Sequence, residues 1–299
     1  MKTVIIFIPK KKARLCLCIL ICIFSMFLFS IYLLSNNWNK SAVFLFQNIF
    51  SKNKINLLKV YEENDADGVK QYFENWNKES EKLTKNEYTD ELEESLYKIF
   101  KVMFHPYNMK PLIREPIMDD FEKDLLEVIN RTPYLVIQNQ INYVYNDLDT
   151  LNEENLMDFI MSIRFLRDDL KTLNEFYPKI EENQEKVLYL TPKYQEDLTC
   201  FLGTEDQPFG ERHIMGPAMP KGETGKRYEF IRNYIPVLYG HWGGYWHLST
   251  HPKIEYIFVN PQLNHALVHY RIGYTFGYAE LKKVNDEWIM LWANMNGME

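Results

Sequence analysis

This chain of 299 residues, 46% of them hydrophobic and 15% aromatic, carries enough apolar side chains to fold around a core, which excludes a disordered polypeptide. Its formal net charge of −7 conceals an asymmetry, because the first 35 residues hold five basic and no acidic residues, leaving 29 basic against 41 acidic residues downstream. An acidic surface of that kind repels a phosphate backbone and excludes a nucleic-acid partner.

Residues 15–34 are an unbroken run of uncharged, mostly apolar residues directly after Lys10, Lys11, Lys12 and Arg14. As a helix the run reaches about 30 Å, the thickness of a bilayer's hydrocarbon core. The preceding charges orient it with the N-terminus cytoplasmic, so that the chain from about Asn36 lies in the periplasm, outside the cell or in a lumen. A cleaved signal peptide is the alternative, but no pair of small residues follows the run to offer a cleavage site. Cys16, Cys18 and Cys22 fall inside the run and Cys200 stands alone beyond it. The exported part therefore holds no internal disulfide, and Cys200 is expected to be a small buried apolar residue. The expected order is a cytoplasmic tail 1–14, a transmembrane helix 15–34, a linker 35–54, a helix-rich α+β region 55–202, a long loop 203–227 and a C-terminal antiparallel sheet 228–299.

In chain order, Val69, Tyr72, Phe73 and Trp76 recur at helical spacing behind Asp65, a capping residue. Leu92, Leu96, Ile99, Phe100 and Met103 repeat the pattern until Pro106 stops it. Residues 116–129 predict a shorter helix with Pro116 in its first turn. The period then falls to two over residues 134–145, which predicts one long strand. Leu156, Phe159, Ile160, Ile163 and Leu170 predict a further helix. Thr191, Pro192 and Gly203 frame another. Residues 203–227, rich in Gly and Pro, read as a loop long enough to border a site.

Two features of the last third point to a site. Gly243 and Gly244, between aromatic residues, predict a two-residue hairpin turn, with Trp242 opposite Tyr245, His241 opposite Trp246, and His241 and His247 on opposite sides of the sheet. Six of the seven histidines fall between positions 213 and 269. His247 with His251 and His265 with His269 show the four-residue spacing of a helical zinc pair. On a strand that spacing separates side chains by roughly 13 Å, too far to share an ion. The alternation of Ala266, Val268, Tyr270 and Ile272 with His265, His269 and Arg271 predicts a strand, so neither a metal nor another cofactor is expected. Its polar face meets water if the sheet is flat, with Arg271 paired to Glu255 or Glu280, and lines a concavity if the sheet curls. Gly273 and Gly277 are the expected points of a bulge.

The segments PKIEYIFVN, the alternating ALVHYRIGYTFGYAELKKV read as one long bent strand, the turn at Asn285 and Asp286, and a closing strand from Trp288 together resemble the nuclear transport factor 2-like (SnoaL-like) superfamily over about the last 75 residues. The resemblance implies an α+β cone, a curved antiparallel sheet wrapped on helices around a pocket. Residues 105–200 have no place in a minimal cone, and no catalytic pattern of that family maps onto this chain.

Three functions suit this pattern. The first is a membrane-anchored module that binds a small ligand, glycan or protein through His241, Trp242, Tyr245, Trp246, His247, His265, His269 and Arg271. The second is an isomerase, dehydratase or hydrolase with His269 or His247 as general base and Arg271 holding an anion. The third is a protective or immunity protein that neutralises a basic toxin through its acidic surface.

Overall fold

The computed structural model describes residues 55–298 apart from 86, 114–118, 149–168, 181–185, 204–218 and 242. The expected transmembrane run, Pro116, most of the helix expected over 156–170, most of the long loop and Trp242 lie outside the described residues. Among the described residues no helix is long and apolar enough to cross a membrane. Residues Asn56–Glu299 form one compact unit of the α+β class.

Helices rarely persist in water without tertiary packing, and each of the first two is fixed by a cap and buried residues. Helix α1 (Leu57–Glu62) leads into α2 (Ala66–Leu83), whose N-cap Asp65 accepts from the Gly68 amide at 2.9 Å. Val69, Tyr72, Phe73 and Trp76 of α2 are all buried, as the spacing predicts. Trp76 stacks on Tyr194 with ring centroids 4.2 Å apart and donates its indole N–H to the Tyr189 carbonyl at 2.9 Å. Helix α3 (Glu91–Met103) begins at Asp90, which accepts from the Glu93 amide at 2.8 Å. The buried Glu93 in turn binds the Thr89 amide at 2.7 Å and pairs with Lys85. A 3-10 turn (Lys110–Leu112) and α4 (Asp119–Arg131) follow.

The long strand expected over 134–145 is in fact two. β1 (Tyr134–Gln138) and β2 (Gln140–Tyr145) part company at Asn139 and enter different sheets. β1 pairs in parallel with β4 (Lys186–Leu190), while β2 lies between β3 (Lys171–Asn174), antiparallel, and the strand β7 (Lys253–Val259), parallel. An unbroken alternation in sequence cannot record a change of partner, which depends on what arrives from elsewhere in the chain.

Helix α5 (Pro192–Leu202) is framed by Thr191 and a positive-φ Gly203, as expected. Cys200 on it is exposed, contrary to expectation. It lies on the outer face of the helix, whereas Tyr194, Leu198, Phe201 and Leu202 take the inner one. The loop expected over 203–227 also needs correction, because α6 (Gly222–Ile231) occupies its last residues. Its two glycines hide a pattern of buried Thr224, Tyr228 and Ile231 at helical spacing.

A short hairpin, β5 (Leu238–Tyr239) with β6 (Trp246–His247), precedes the main sheet. The segment read as one bent strand is a hairpin. β8 (His265–Ile272) and β9 (Thr275–Val284) run antiparallel, with Ile272 opposite Thr275 and Gly273 at φ 56 in the turn. Gly277 is paired with β8 inside β9, and the irregularity expected there falls on the next strand, where the register slips between Met295, opposite Gly277, and Gly297, opposite Phe276. Asn285 and Asp286, at φ 51 and 65, make the expected turn into β10 (Glu287–Met298). The resulting six-stranded sheet runs β10-β9-β8-β7-β2-β3. It is mixed, not purely antiparallel, because β2 joins the β7–β10 meander in parallel. Ala266, Val268, Tyr270 and Ile272 face the core, where they meet Leu96, Ile99, Phe100 and Met103 of α3. On the opposite face Leu267 packs with Val144, Leu148, Phe258 and Tyr278 in a smaller cluster.

Candidate functional site

The rigid core fixes where the polar ends of the strands must go. An open cleft of about 400 Å³ lies where the start of β7 and the end of β8 meet the β1–β2 junction and the segment after β6. Its wall is built by Gln138, Gln140 and Asn142 on one side, Tyr245, Trp246, His247 and Ser249 on another, and Lys253, Glu255, Tyr256 and Arg271 across the base, with Gln195 of α5 at the margin.

Backbone pairing alone would not close this corner, and side chains complete it. The Gln138 amide acts as a surrogate strand partner for Ile254, accepting from its N–H at 3.0 Å and donating to its carbonyl at 2.8 Å. Val136 donates to the Thr250 hydroxyl at 2.8 Å and accepts from the Thr250 amide at 2.7 Å. Backbone groups that the strand pairing leaves over are thereby satisfied, as buried backbone requires.

The hairpin expected at Gly243 and Gly244 exists, but its register differs. Leu238 faces His247 and Tyr239 faces Trp246, and the Gly240 amide donates to the Tyr245 carbonyl at 2.8 Å, so that the pairing closes at Gly240 and Tyr245. Both Gly243 (φ 79) and Gly244 (φ 80) take the left-handed conformation that favours glycine. This register alters the expected geometry. His241 and His247 both approach the Tyr274 ring, at 5.0 and 6.3 Å between centroids, instead of lying on opposite sides of a sheet. Gly240 has its own requirement, since a Cβ there would lie 2.5 Å from the Tyr245 ring. Its bare backbone lets Tyr245 fold back beside His247, with ring centroids 5.3 Å apart.

The charged base of the cleft depends on a bulge. In β7, Lys253 pairs with Arg271 and Ile254 with Tyr270, and the register then slips so that Tyr256 pairs with His269. Glu255 is the extra residue. A bulge breaks strict alternation, so Lys253, Glu255 and Tyr256 all line the cleft. Glu255 Oε1 accepts from Lys253 Nζ at 3.2 Å and from Arg271 Nε at 3.3 Å. His269 Nδ1 stands 3.8 Å from Glu255 Oε2. Burial pushes the Glu255 carboxyl up, but Lys253, Arg271 and His269 outweigh it and hold the group below its ordinary value.

The histidines here are neutral at pH 7. Burial, reinforced by His251, Arg271 and Lys253, lowers His247 to about 3. Burial, with Arg271 and Lys253, lowers His269 to about 4 against the pull of Glu255. His251, fully buried behind the wall, falls to about 4 for the same first reason. Its Nδ1 lies 3.1 Å from the Arg271 carbonyl, which can only accept, so Nδ1 carries the proton.

Of the residues singled out from sequence, Tyr245, Trp246, His247 and Arg271 line the cleft. His269 stands beside it against Tyr256, their rings 5.4 Å apart and nearly parallel. His265 sits at the other end of β8, 2.8 Å from Glu280 Oε1, and Trp292 donates to the second oxygen of that carboxylate. His241 belongs to the hairpin turn, and Trp242 lies outside the described residues. Arg271 pairs with Glu255, one of the two partners expected. Lys253, Tyr256 and the amides of residues 138–142 are absent from the sequence-derived set. The charge pattern of Lys253 and Glu255 on a strand leading into a hairpin was their signal, but the bulge that aims them is silent in sequence. Among the described residues no group of three or more His, Cys, Asp or Glu side chains is placed to hold a metal ion.

No protein-family model, curated protein or solved structure matches this chain.

Proposed function

We propose that this chain is a single-pass membrane protein, N-terminus cytoplasmic, that presents a small-ligand binding domain on the far side of the membrane. The anchor is supported by the apolar run 15–34 and the five basic residues before it. The binding domain is supported by one observation: the cleft of about 400 Å³ gathers polar and aromatic side chains from five separated stretches of chain. A volume of that size suits a small organic molecule. The four-stranded meander packed on α3 supports the proposed kinship with nuclear transport factor 2-like proteins, whereas the hairpin at Gly273 removes the long strand on which that likeness leaned.

Binding is favoured over catalysis by the histidines. A general base works best with a pKa near the operating pH, and His247 and His269, lowered to about 3 and about 4, are instead neutral and weakly basic.

Two experiments test the proposal. Protease added to intact cells or spheroplasts should digest the domain, and full protection would overturn the placement. Ligand-observed NMR of the full-length chain in detergent, screened against small polar metabolites, should give hits that vanish in Gln195→Trp, where an exposed helix position fills the cleft margin. Hits that persist undiminished in that variant would remove the cleft from the proposal.

A further inference from the structure

Resting on the cleft as a binding site, the charges in its wall name the class of ligand. Lys253 and Arg271 stand directly opposite each other on adjacent antiparallel strands. Like charges in that position repel and destabilise the pair, and the apolar packing of β7 on β8 does not require them. Glu255 is the one carboxylate among the described residues of the cleft wall, and it touches both cations through the same oxygen. The trio therefore carries a formal charge of about +1 at neutral pH, in a chain whose own charge is −7.

Exposure decides which cation a ligand meets. The Arg271 and Glu255 side chains are 15% and 18% exposed, whereas Lys253 is 38% exposed. Arg271 and Glu255 form the wall, and Lys253 is the charge presented to an incoming group. A metal ion is disfavoured by two neighbouring cations; an oxyanion is favoured by them.

The other surfaces describe the remainder of the ligand. Tyr245 is 38% exposed at the rim. The Trp246 ring, which also lines the cleft, packs against Tyr239 at 4.6 Å and is held in place by its indole N–H, which donates to the Gly203 carbonyl at 2.8 Å. Flat apolar rings next to amide side chains match a body that is apolar on its faces and hydroxylated at its edge. We infer that the cleft binds an anionic sugar, a saccharide unit bearing a carboxylate or phosphate that docks on Lys253 with its ring against Tyr245 and Trp246.

The two sources of the oxyanion are separable by titration calorimetry of the purified full-length chain in detergent. The probes are D-glucuronate, D-glucose 6-phosphate, D-glucose and inorganic phosphate. One or both anionic sugars should bind at least about tenfold more tightly than glucose and than inorganic phosphate, the worth of one charge-assisted contact, and whichever binds identifies the oxyanion. Lys253→Gln should weaken the anionic sugar about tenfold, Lys253→Arg should restore it, and both variants should keep the circular dichroism spectrum of the parent. Equal affinity for glucose, with no response to Lys253→Gln, would overturn the anionic class while leaving the cleft as a binding site. Inorganic phosphate binding as tightly as glucose 6-phosphate would overturn the saccharide. Binding that survives Gln195→Trp, or no binding of any probe, would overturn the inference.

Discussion

Lys253 and Arg271 form a directly opposed cross-strand pair of like charge, and the bulge residue Glu255 is what makes that pair tenable. Glu255→Gln keeps the side-chain volume but removes the charge shared by the two cations. The variant should lose about 1–3 kcal/mol of stability, measured by urea unfolding at pH 7. The double variant Glu255→Gln with Lys253→Gln should recover part of that loss, because the remaining Arg271 no longer faces a second cation. Simple additivity of the two changes would show that the trio is not coupled.

Three histidines buried neutral make stability depend on pH. His247, His251 and His269 titrate at about 3, about 4 and about 4 in the folded state, against 6.5 ordinarily. Because their folded values are lowered, the unfolded chain binds protons first as the pH falls. Their contribution is fully present above about pH 6.5 and is lost progressively toward about pH 4. Each adds a slope of up to about 1.4 kcal/mol per pH unit in that window. His251→Gln should flatten the profile by about that slope, and urea unfolding at pH 7, 6 and 5 measures it. An unchanged profile would mean that His251 takes up a proton as readily in the folded protein as in the unfolded chain.

Two glycines four positions apart, Gly240 and Gly244, predict opposite readouts. At Gly240 an added Cβ meets the Tyr245 ring at 2.5 Å, whereas at Gly244 it meets nothing within 4 Å but the residue has φ +80. Gly244→Ala should cost about 1–2 kcal/mol from backbone strain and leave the cleft unaltered. Gly240→Ala should displace Tyr245, costing about 1–3 kcal/mol and shifting the NMR signals of Tyr245 and His247. Matching spectra for the two variants would contradict this division.

Cys200 is exposed on the outer face of α5. In a variant with Cys16, Cys18 and Cys22 replaced by Ser, a thiol reagent should label the native protein at one site, at a rate close to that of the unfolded chain. Labelling slowed about 100-fold or more, as if gated by unfolding, would return Cys200 to the buried position expected from its apolar neighbours.

Local patterns were legible in the sequence because their causes are local. The capped stripe of α2, the stop of α3 before Pro106, the frame of α5 by Pro192 and Gly203, and the turn at Asn285 and Asp286 each follow from residues a few positions apart. The alternation of β8 likewise sent Ala266, Val268, Tyr270 and Ile272 to the core and Arg271 toward Glu255. What only the tertiary structure decided was partnership. The break at Asn139, the parallel junction of β2 with β7 and the reversal at Gly273 all depend on which strand lies alongside, and the same alternating sequence is compatible with a straight strand or a hairpin. The bulge at Glu255 is the sharpest case. A slip of one residue in register turns Glu255 and Tyr256 into the same cleft, and register is a property of two strands together, written in neither alone.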